Sequence, residues 1–226
     1  MNPVIRYSAL CGALASLTLP YAYARVMGTL GAGWLGPRGC MGGPCRWWRW
    51  WSPLACAAGA AASAGIAQLT GARPGGPLLV AGWLVVLYAG ALLCMVDVAV
   101  QRLPTPVIGA AALALMLVLV GHCLTTGQAQ TLIRAGLAAG ALGGGYLLVA
   151  VLGGDSVGLG DVRLAALLGA ALGALGWPTV FYGALLPYPL AVPEAVIRLA
   201  LRRSRDLAFG PYLVVGAFLA VGLVRH

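Results

Sequence analysis

Apolar residues gather into long runs along the chain, and glycine, proline and arginine mark most of the gaps between these runs. A helix needs about 20 mostly apolar residues to cross the hydrocarbon core of a bilayer, and most of the runs approach this length. The pattern therefore predicts an all-α, polytopic transmembrane helix bundle with about eight spans. The predicted segments are residues 4–24, 53–70, 77–97, 106–125, 131–152, 162–176, 178–198 and 209–224.

Composition indicates a surface that faces lipid. Hydrophobic residues make up 61% of the 226-residue chain and charged residues only 8%, with a mean hydropathy of +0.93. Soluble domains carry about 25% charged residues, so this chain lacks the polar side chains that would cover a surface in water. The lipid bilayer is the partner that such a composition requires.

The positive charge fits membrane topology better than nucleic-acid binding. The net charge of +9 comes from 14 arginines and five acids. If the N-terminus lies outside, ten arginines fall in cytoplasmic loops and four on the opposite side, as the positive-inside rule expects. Residues 4–24 are then a first transmembrane helix rather than a cleaved signal, although Ala22-Tyr23-Ala24 imitates a signal-peptidase site.

Three of the five acids have simple explanations. Asp155 lies in a Gly-Gly-Asp-Ser stretch typical of a hydrated loop, and Asp206 follows a cluster of arginines. Glu194 precedes an arginine by four residues, a spacing that allows an ion pair across one helical turn. The two remaining acids, Asp97 and Asp161, are predicted to lie at helix ends on the same, cytoplasmic, face of the membrane.

Acids placed at membrane depth are costly, and they usually serve a function. Two carboxyl groups that share a partly dehydrated site cannot both ionise easily, so one of them keeps its proton and the pair can act as acid and base. Asp161 follows Gly158-Leu159-Gly160, where glycine permits unusual backbone angles and close approach of another segment. From the residues alone, a helix N-cap is an equally good interpretation of Asp161.

Three sequence motifs resemble those of the type IV prepilin peptidases, a family of GxGD-type intramembrane aspartyl peptidases. Asp97-Val-Ala-Val-Gln-Arg-Leu-Pro104 is similar to the first aspartate motif of the family. Gly158-Leu-Gly-Asp161-Val-Arg-Leu164 is similar to its GxGD motif, and Ala208-Phe-Gly-Pro-Tyr-Leu213 to the element that precedes its last helix. The resemblance covers about residues 53–224, and its motifs occur in the family's order.

The resemblance implies an aspartic-type endopeptidase with Asp97 and Asp161 as the catalytic pair and with no metal and no cofactor. It implies a multi-pass protein of the inner or plasma membrane that cleaves the leader peptide of prepilin or pseudopilin substrates at the cytoplasmic face. Arg163 stands where the family commonly has lysine. The residues expected to bind substrate or support the site are Gly158, Gly160, Arg163, Pro104, Gly210 and Pro211.

The region before residue 75 departs from the family pattern. Full-length relatives carry a cytoplasmic methyltransferase domain with two Cys-x-x-Cys pairs, whereas this loop has only Cys40 and Cys45. Two thiolates from one chain do not complete a four-cysteine zinc site. The prediction is a degenerate N-terminal region over residues 1–74 that lacks methyltransferase activity, followed by a six-helix catalytic core over residues 75–226.

Other features have structural interpretations. A lone histidine on an apolar helix, His122, is expected to be hydrogen-bonded or interfacial rather than a metal ligand. Glycines at four-residue spacing are expected to let helices approach closely within lipid. These glycines are Gly136, Gly140, Gly144, Gly169 and Gly173.

Two other functions remain open at this stage. A small transporter or a proton or cation channel would use Asp97 and Asp161 as an ion site, and it would more often have acids at mid-helix, broken helices and an internal repeat. A catalytically silent scaffold for a secretion machine would have lost one of the motif aspartates, and both are present.

Overall fold

The computed structural model describes residues 10, 18–19, 21–23, 25–26, 76–100, 103–152, 158–201 and 209–224. These residues are almost entirely helical and contain no strand, which confirms the all-α prediction for this part of the chain. The helices are α1 (Gly76–Val100), α2 (Thr105–Thr126), α3 (Ala129–Leu152), α4 (Leu159–Leu175), α5 (Trp177–Leu185), α6 (Pro187–Ala200) and α7 (Gly210–Leu223).

Four segments of the described chain are long and apolar enough to cross a membrane: Gly76–Asp97, Thr105–Thr126, Ala129–Leu152 and Trp177–Ala200. Helix α7 is apolar but has only 14 residues, and the 17 residues of α4 reach about 25 Å at 1.5 Å each. The structure therefore supports a membrane protein with four candidate spans and not the predicted count of about eight. Most of the predicted segments 4–24 and 53–70, and most of the 1–74 region, lie outside the described residues.

The predicted segment 178–198 is divided into two helices. Helix α5 ends at Leu185 and α6 begins at Pro187, which has no backbone N–H to donate to the preceding turn. The ring of Pro187 also lies against α7, since a Cβ added at Gly216 would stand 2.8 Å from its Cδ. The apolar run continues across this break, so hydrophobic periodicity alone does not predict the position where the backbone N–H is missing.

Glycine shapes the turns at the far end of the bundle. Gly127 ends α2 with a left-handed φ of 69°, and its N–H donates to the carbonyl of Cys123 at 2.8 Å. Gly176 ends α4 with a φ of 142°, and the buried Thr179 hydroxyl donates to the Gly176 carbonyl at 2.6 Å. These two turns reverse the chain and return α3 and α5 toward the end where Asp97 lies.

Helix α4 is the centre of the bundle, and α3 lies closest against it. A Cβ at Gly169 would stand 2.6 Å from the carbonyl oxygen of Ala138, and one at Gly173 would stand 2.6 Å from the Ala138 Cβ. The expectation of close helix approach therefore holds for these two glycines of α4. It is wrong for Gly136, Gly140 and Gly144, which face open space, while Gly143 makes the contact from the α3 side.

Burial divides the helices into inner and outer ones. Residues 164 to 175 of α4 are buried at nearly every position, whereas α2, α3 and α6 expose many large apolar side chains on their outer faces. Such faces suit the hydrocarbon of a bilayer, since hydrophobic side chains gain nothing from facing water. In the first turn of α4 Asp161 is buried, while Leu159 and Arg163 are exposed.

Candidate functional site

Asp97 lies near the end of α1 and is held by the start of α7. Its side chain is only 3% exposed, and its Oδ2 accepts a hydrogen bond from the Gly210 N–H at 3.1 Å. Gly210 is the first residue of α7, where the backbone N–H has no partner within its own helix. A Cβ at Gly210 would stand 2.7 Å from the same Oδ2, so the carboxyl group occupies the space that any side chain would need. Pro211 follows in the first turn, the helical position that proline tolerates best.

Asp161 is the third residue of α4 and is also buried, with 8% of its surface exposed. The helix is capped by Gly158, without a side-chain hydrogen bond, so the interpretation of Asp161 as the N-cap is wrong. Its Oδ1 is buried and has no hydrogen-bond partner among the described residues. A position in the first turn favours negative charge through the helix dipole. The dipole does not, however, supply a hydrogen bond to this oxygen.

The fold brings the two acids together from distant parts of the sequence. Helix α1 packs against α4, and Gly160, which directly precedes Asp161, packs on Leu103 in the connection that follows Asp97. Both acids therefore lie at one end of the bundle, and the membrane face to which this end belongs stays a prediction. We call this end, defined by Asp97, Leu103, Asp161 and Gly210, the aspartate end.

Two of the predicted supporting residues, Gly160 and Arg163, contact the start of α2 and the connection before it through residues that the sequence did not single out. A Cβ at Gly160 would stand 2.9 Å from the Cβ of Leu103, so the α1–α2 connection rests on this glycine. One turn along α4, the Arg163 guanidinium donates to the Thr105 hydroxyl at 2.7 Å. Pro104 is buried between these contacts and caps α2, with its carbonyl accepting the first backbone hydrogen bonds of that helix. Leu103 and Thr105 were not singled out from the sequence, because an apolar and a small polar residue beside a proline carry no distinctive signal.

Gly158 and Gly160 leave room beside Asp161 because they have no side chains, and they do not have unusual backbone angles. Gly158 has an extended backbone with φ −72°, which any residue adopts, and Gly160 is helical. The expectation of unusual angles is therefore wrong, and the expectation of close approach is confirmed at Gly160. Gly158 is exposed and lies next to Asp161, with 4.0 Å between an added Cβ and the Asp161 Oδ2.

An aromatic cluster adjoins the two acids. Tyr146 of α3 stacks on Tyr188 of α6 with ring centroids 6.4 Å apart, and both rings meet Phe209 at about the same separation, 6.1 and 5.9 Å. Tyr212 continues the cluster 6.4 Å beyond Phe209. Phe209 directly precedes the glycine that binds Asp97, and Tyr146 lies one turn beyond Gly143, which packs against α4 at Val162. Sequence reasoning missed this cluster, because its members come from three helices and have no common spacing.

Glu194 forms the predicted ion pair with Arg198, whose Nε lies 2.8 Å from its Oε1. Its other oxygen accepts a hydrogen bond from the Tyr212 hydroxyl, a contact that the sequence did not indicate. This contact ties the end of α6 to the first turn of α7. Glu194 thus supports the helix that holds Asp97 and is not itself next to either aspartate in sequence.

His122 has a different environment from the one expected. It is 1% exposed, so it is not interfacial, and its Nδ1 has no partner within the described residues. Among the same residues there is no group of three or more histidine, cysteine, aspartate or glutamate side chains that could hold a metal ion. Cys94 and Cys123 are free thiols in this part of the chain, and Cys40 and Cys45 lie outside it.

No family model, curated protein or solved structure matches the chain. The family resemblance therefore rests on the three sequence motifs alone. Chemically, the site offers two buried carboxyl groups at one end of a helix bundle. One carboxyl accepts a backbone N–H, and the other has a free oxygen.

Proposed function

We propose that this chain is an intramembrane aspartyl endopeptidase of the prepilin-peptidase type, with Asp97 and Asp161 as its catalytic pair. The observation that carries the proposal is that three distant segments meet at two buried acids. Gly210 binds Asp97, Gly160 packs on the connection that follows Asp97, and Asp161 lies one residue beyond Gly160. Helix capping and lipid contact do not require two carboxyl groups to be buried together, whereas a shared acid–base site does.

The division of roles follows from the hydrogen bonds. The Gly210 N–H stabilises an ionised Asp97, and no Asp97 oxygen is among the buried atoms without a partner in the described residues, so Asp97 is assigned the negative charge. The free Oδ1 of Asp161 suits a protonated acid, which needs a partner only when substrate arrives. In this assignment Asp97 is the base and Asp161 the acid.

The reaction is hydrolysis of one peptide bond. Asp97 takes a proton from a water molecule as the oxygen of that water bonds to the carbonyl carbon. The carbonyl electron pair moves onto the carbonyl oxygen, which receives a proton from Asp161. Asp161, now ionised, takes back a proton from this tetrahedral intermediate as the carbon–nitrogen bond breaks, and the leaving nitrogen receives the proton held by Asp97. The products are a carboxylic acid and an amine, and both aspartates return to their starting state.

The substrate class and the side of the membrane are part of the same proposal. A prepilin or pseudopilin presents a short leader just before its apolar helix, and that helix can lie in the bilayer beside α2, α3 or α6. The arginine distribution favours the cytoplasm as the location of the aspartate end and a bacterial inner or plasma membrane as the location of the protein. Methyltransferase activity is not part of this proposal, because Cys40 and Cys45 do not make a zinc site.

Co-expression with a panel of prepilins tests the proposal, with leader removal read as a shift on a gel. We expect cleavage by the wild type and a loss of at least about 100-fold for Asp97→Asn and for Asp161→Asn, because acid–base groups contribute rate factors of this size. Asp155→Asn is the matched control, since it makes the same change at an acid that the sequence assigns to a hydrated loop, and it should cleave at the wild-type rate. Cleavage by either aspartate variant at the wild-type rate, with equal membrane levels, would contradict the assignment of Asp97 and Asp161 as the catalytic pair.

One observation favours a second candidate. The α5–α6 span is broken at Pro187, and transporters often bind ions at broken helices. Against this, both acids lie at helix ends rather than at mid-helix. A proton-flux assay on reconstituted wild type and Asp161→Asn separates the two candidates, since a peptidase gives no aspartate-dependent flux.

A further inference from the structure

Two polar atoms beside the proposed catalytic pair are buried without a hydrogen-bond partner in the described part of the chain: the Asp161 Oδ1 and the Tyr146 hydroxyl. Proteins rarely leave such groups unsatisfied, because a buried polar group without a partner loses its hydrogen bonds to water. Tyr146 is only 5% exposed, and it lies one turn beyond Gly143, where an added Cβ would stand 3.7 Å from the carbonyl oxygen of Val162, the residue after Asp161. Two neighbouring unsatisfied groups therefore indicate one missing partner.

The position of Tyr146 is fixed by its ring rather than by its hydroxyl. The ring is held between Tyr188 and Phe209, and the latter is joined to the glycine that binds Asp97. Tyr188 stacks on this ring, and the Tyr146 hydroxyl makes no hydrogen bond within the described residues. The hydroxyl is thus held in place yet left available, which is the arrangement expected of a preorganised donor.

We propose that Tyr146 is a further catalytic residue, whose hydroxyl donates a hydrogen bond to the scissile carbonyl oxygen while protonated Asp161 donates to the same atom. A carbonyl oxygen has two lone pairs and accepts from both donors at once. The hydrogen bond strengthens as negative charge develops on that oxygen, and the tyrosine keeps its proton throughout. This inference rests on the endopeptidase proposed above.

The test is the cleavage kinetics of purified Tyr146→Phe on a peptide spanning the leader junction of a prepilin that the wild type processes. We expect kcat to fall on the order of 100-fold, as for loss of one donor to a developing oxyanion, with KM changed less than about threefold. Tyr182→Phe is the matched control, because it removes an exposed tyrosine hydroxyl from α5 away from the aspartates. It should keep wild-type kinetics.

A second measurement separates catalysis from folding. A statine-containing peptide of the same sequence carries a hydroxyl where the tetrahedral oxygen would be, and its affinity should fall in Tyr146→Phe by about the same factor as kcat. Thermal unfolding of the variant should match that of the wild type.

Equal kcat in Tyr146→Phe and wild type would overturn the role of Tyr146 and leave the aspartate pair intact. A kcat loss accompanied by a lower unfolding temperature and unchanged statine affinity would also overturn it, in favour of a packing role. If the wild type cleaves no prepilin while Asp161→Asn abolishes proton flux, the endopeptidase proposal itself fails, and the role of Tyr146 fails with it.

Discussion

At the scale of single residues, the site depends on glycines that make room for other groups. The sequence identified Asp97 and Asp161 because acids are scarce in an apolar chain, and it identified Gly160 and Gly210 through motif resemblance. It did not show what occupies the space beside each glycine. The structure assigns that space to Leu103 at Gly160 and to the carboxyl group of Asp97 at Gly210.

The contact between Gly210 and Asp97 gives a direct prediction. Gly210→Ala would place a Cβ 2.7 Å from the Asp97 Oδ2, so the carboxyl group must move or the N–H bond must lengthen. We expect prepilin cleavage to fall by about 10- to 100-fold, since a misplacement of about 1 Å at a catalytic group costs up to 100-fold.

The control for this prediction lies on the same helix. Gly222→Ala faces open space in α7 and should cleave at the wild-type rate. Full activity in Gly210→Ala, measured in the same co-expression gel assay, would show that the backbone bond to Asp97 does not position the carboxyl group.

At the scale of elements, the sequence predicted helix positions well and helix contacts less well. Six predicted segments between residues 77 and 224 coincide with α1 to α7, because long apolar runs and proline or glycine breaks are strong local signals. The break at Pro187 and the aromatic cluster were missed, since they depend on which faces meet. Four-residue glycine spacing likewise occurs on both packed and open faces, and only Gly169 and Gly173 of the predicted set pack closely.

The difference between packed and open glycines can be measured. Gly169→Ala would bring a Cβ within 2.6 Å of the Ala138 carbonyl oxygen, which is backbone and cannot turn aside. We expect a destabilisation of about 1–3 kcal/mol from overpacking, seen as a lower midpoint of thermal unfolding in detergent. Gly140 faces open space on the partner helix α3. The midpoint of thermal unfolding of Gly140→Ala should equal or slightly exceed that of the wild type, because alanine is the better helix former.

At the scale of the whole molecule, connectivity decides which residues share a side of the membrane. Thr105 at the start of α2 bonds Arg163, so the other end of α2 and the turn at Gln128 lie away from the aspartate end. Tyr212 bonds Glu194 near the end of α6, which keeps Leu201 close to the aspartate end. The apolar runs did not give the number of spans, because short helices such as α4 have the composition of a span without its length, and the orientation drawn from the arginines stays a prediction.

This arrangement predicts the sidedness of two positions. In a cysteine-free variant that still cleaves prepilin, Gln128→Cys should react with a membrane-impermeant maleimide in intact spheroplasts, and Leu201→Cys should react only after permeabilisation. Both side chains are exposed, so a difference in labelling reports the side of the membrane rather than burial. The reverse pattern would place the aspartate end outside, where a cytoplasmic leader peptide could not reach it. Leader removal on a gel does not report the side of the membrane on which it occurs, so labelling provides the independent test of where the proposed reaction takes place.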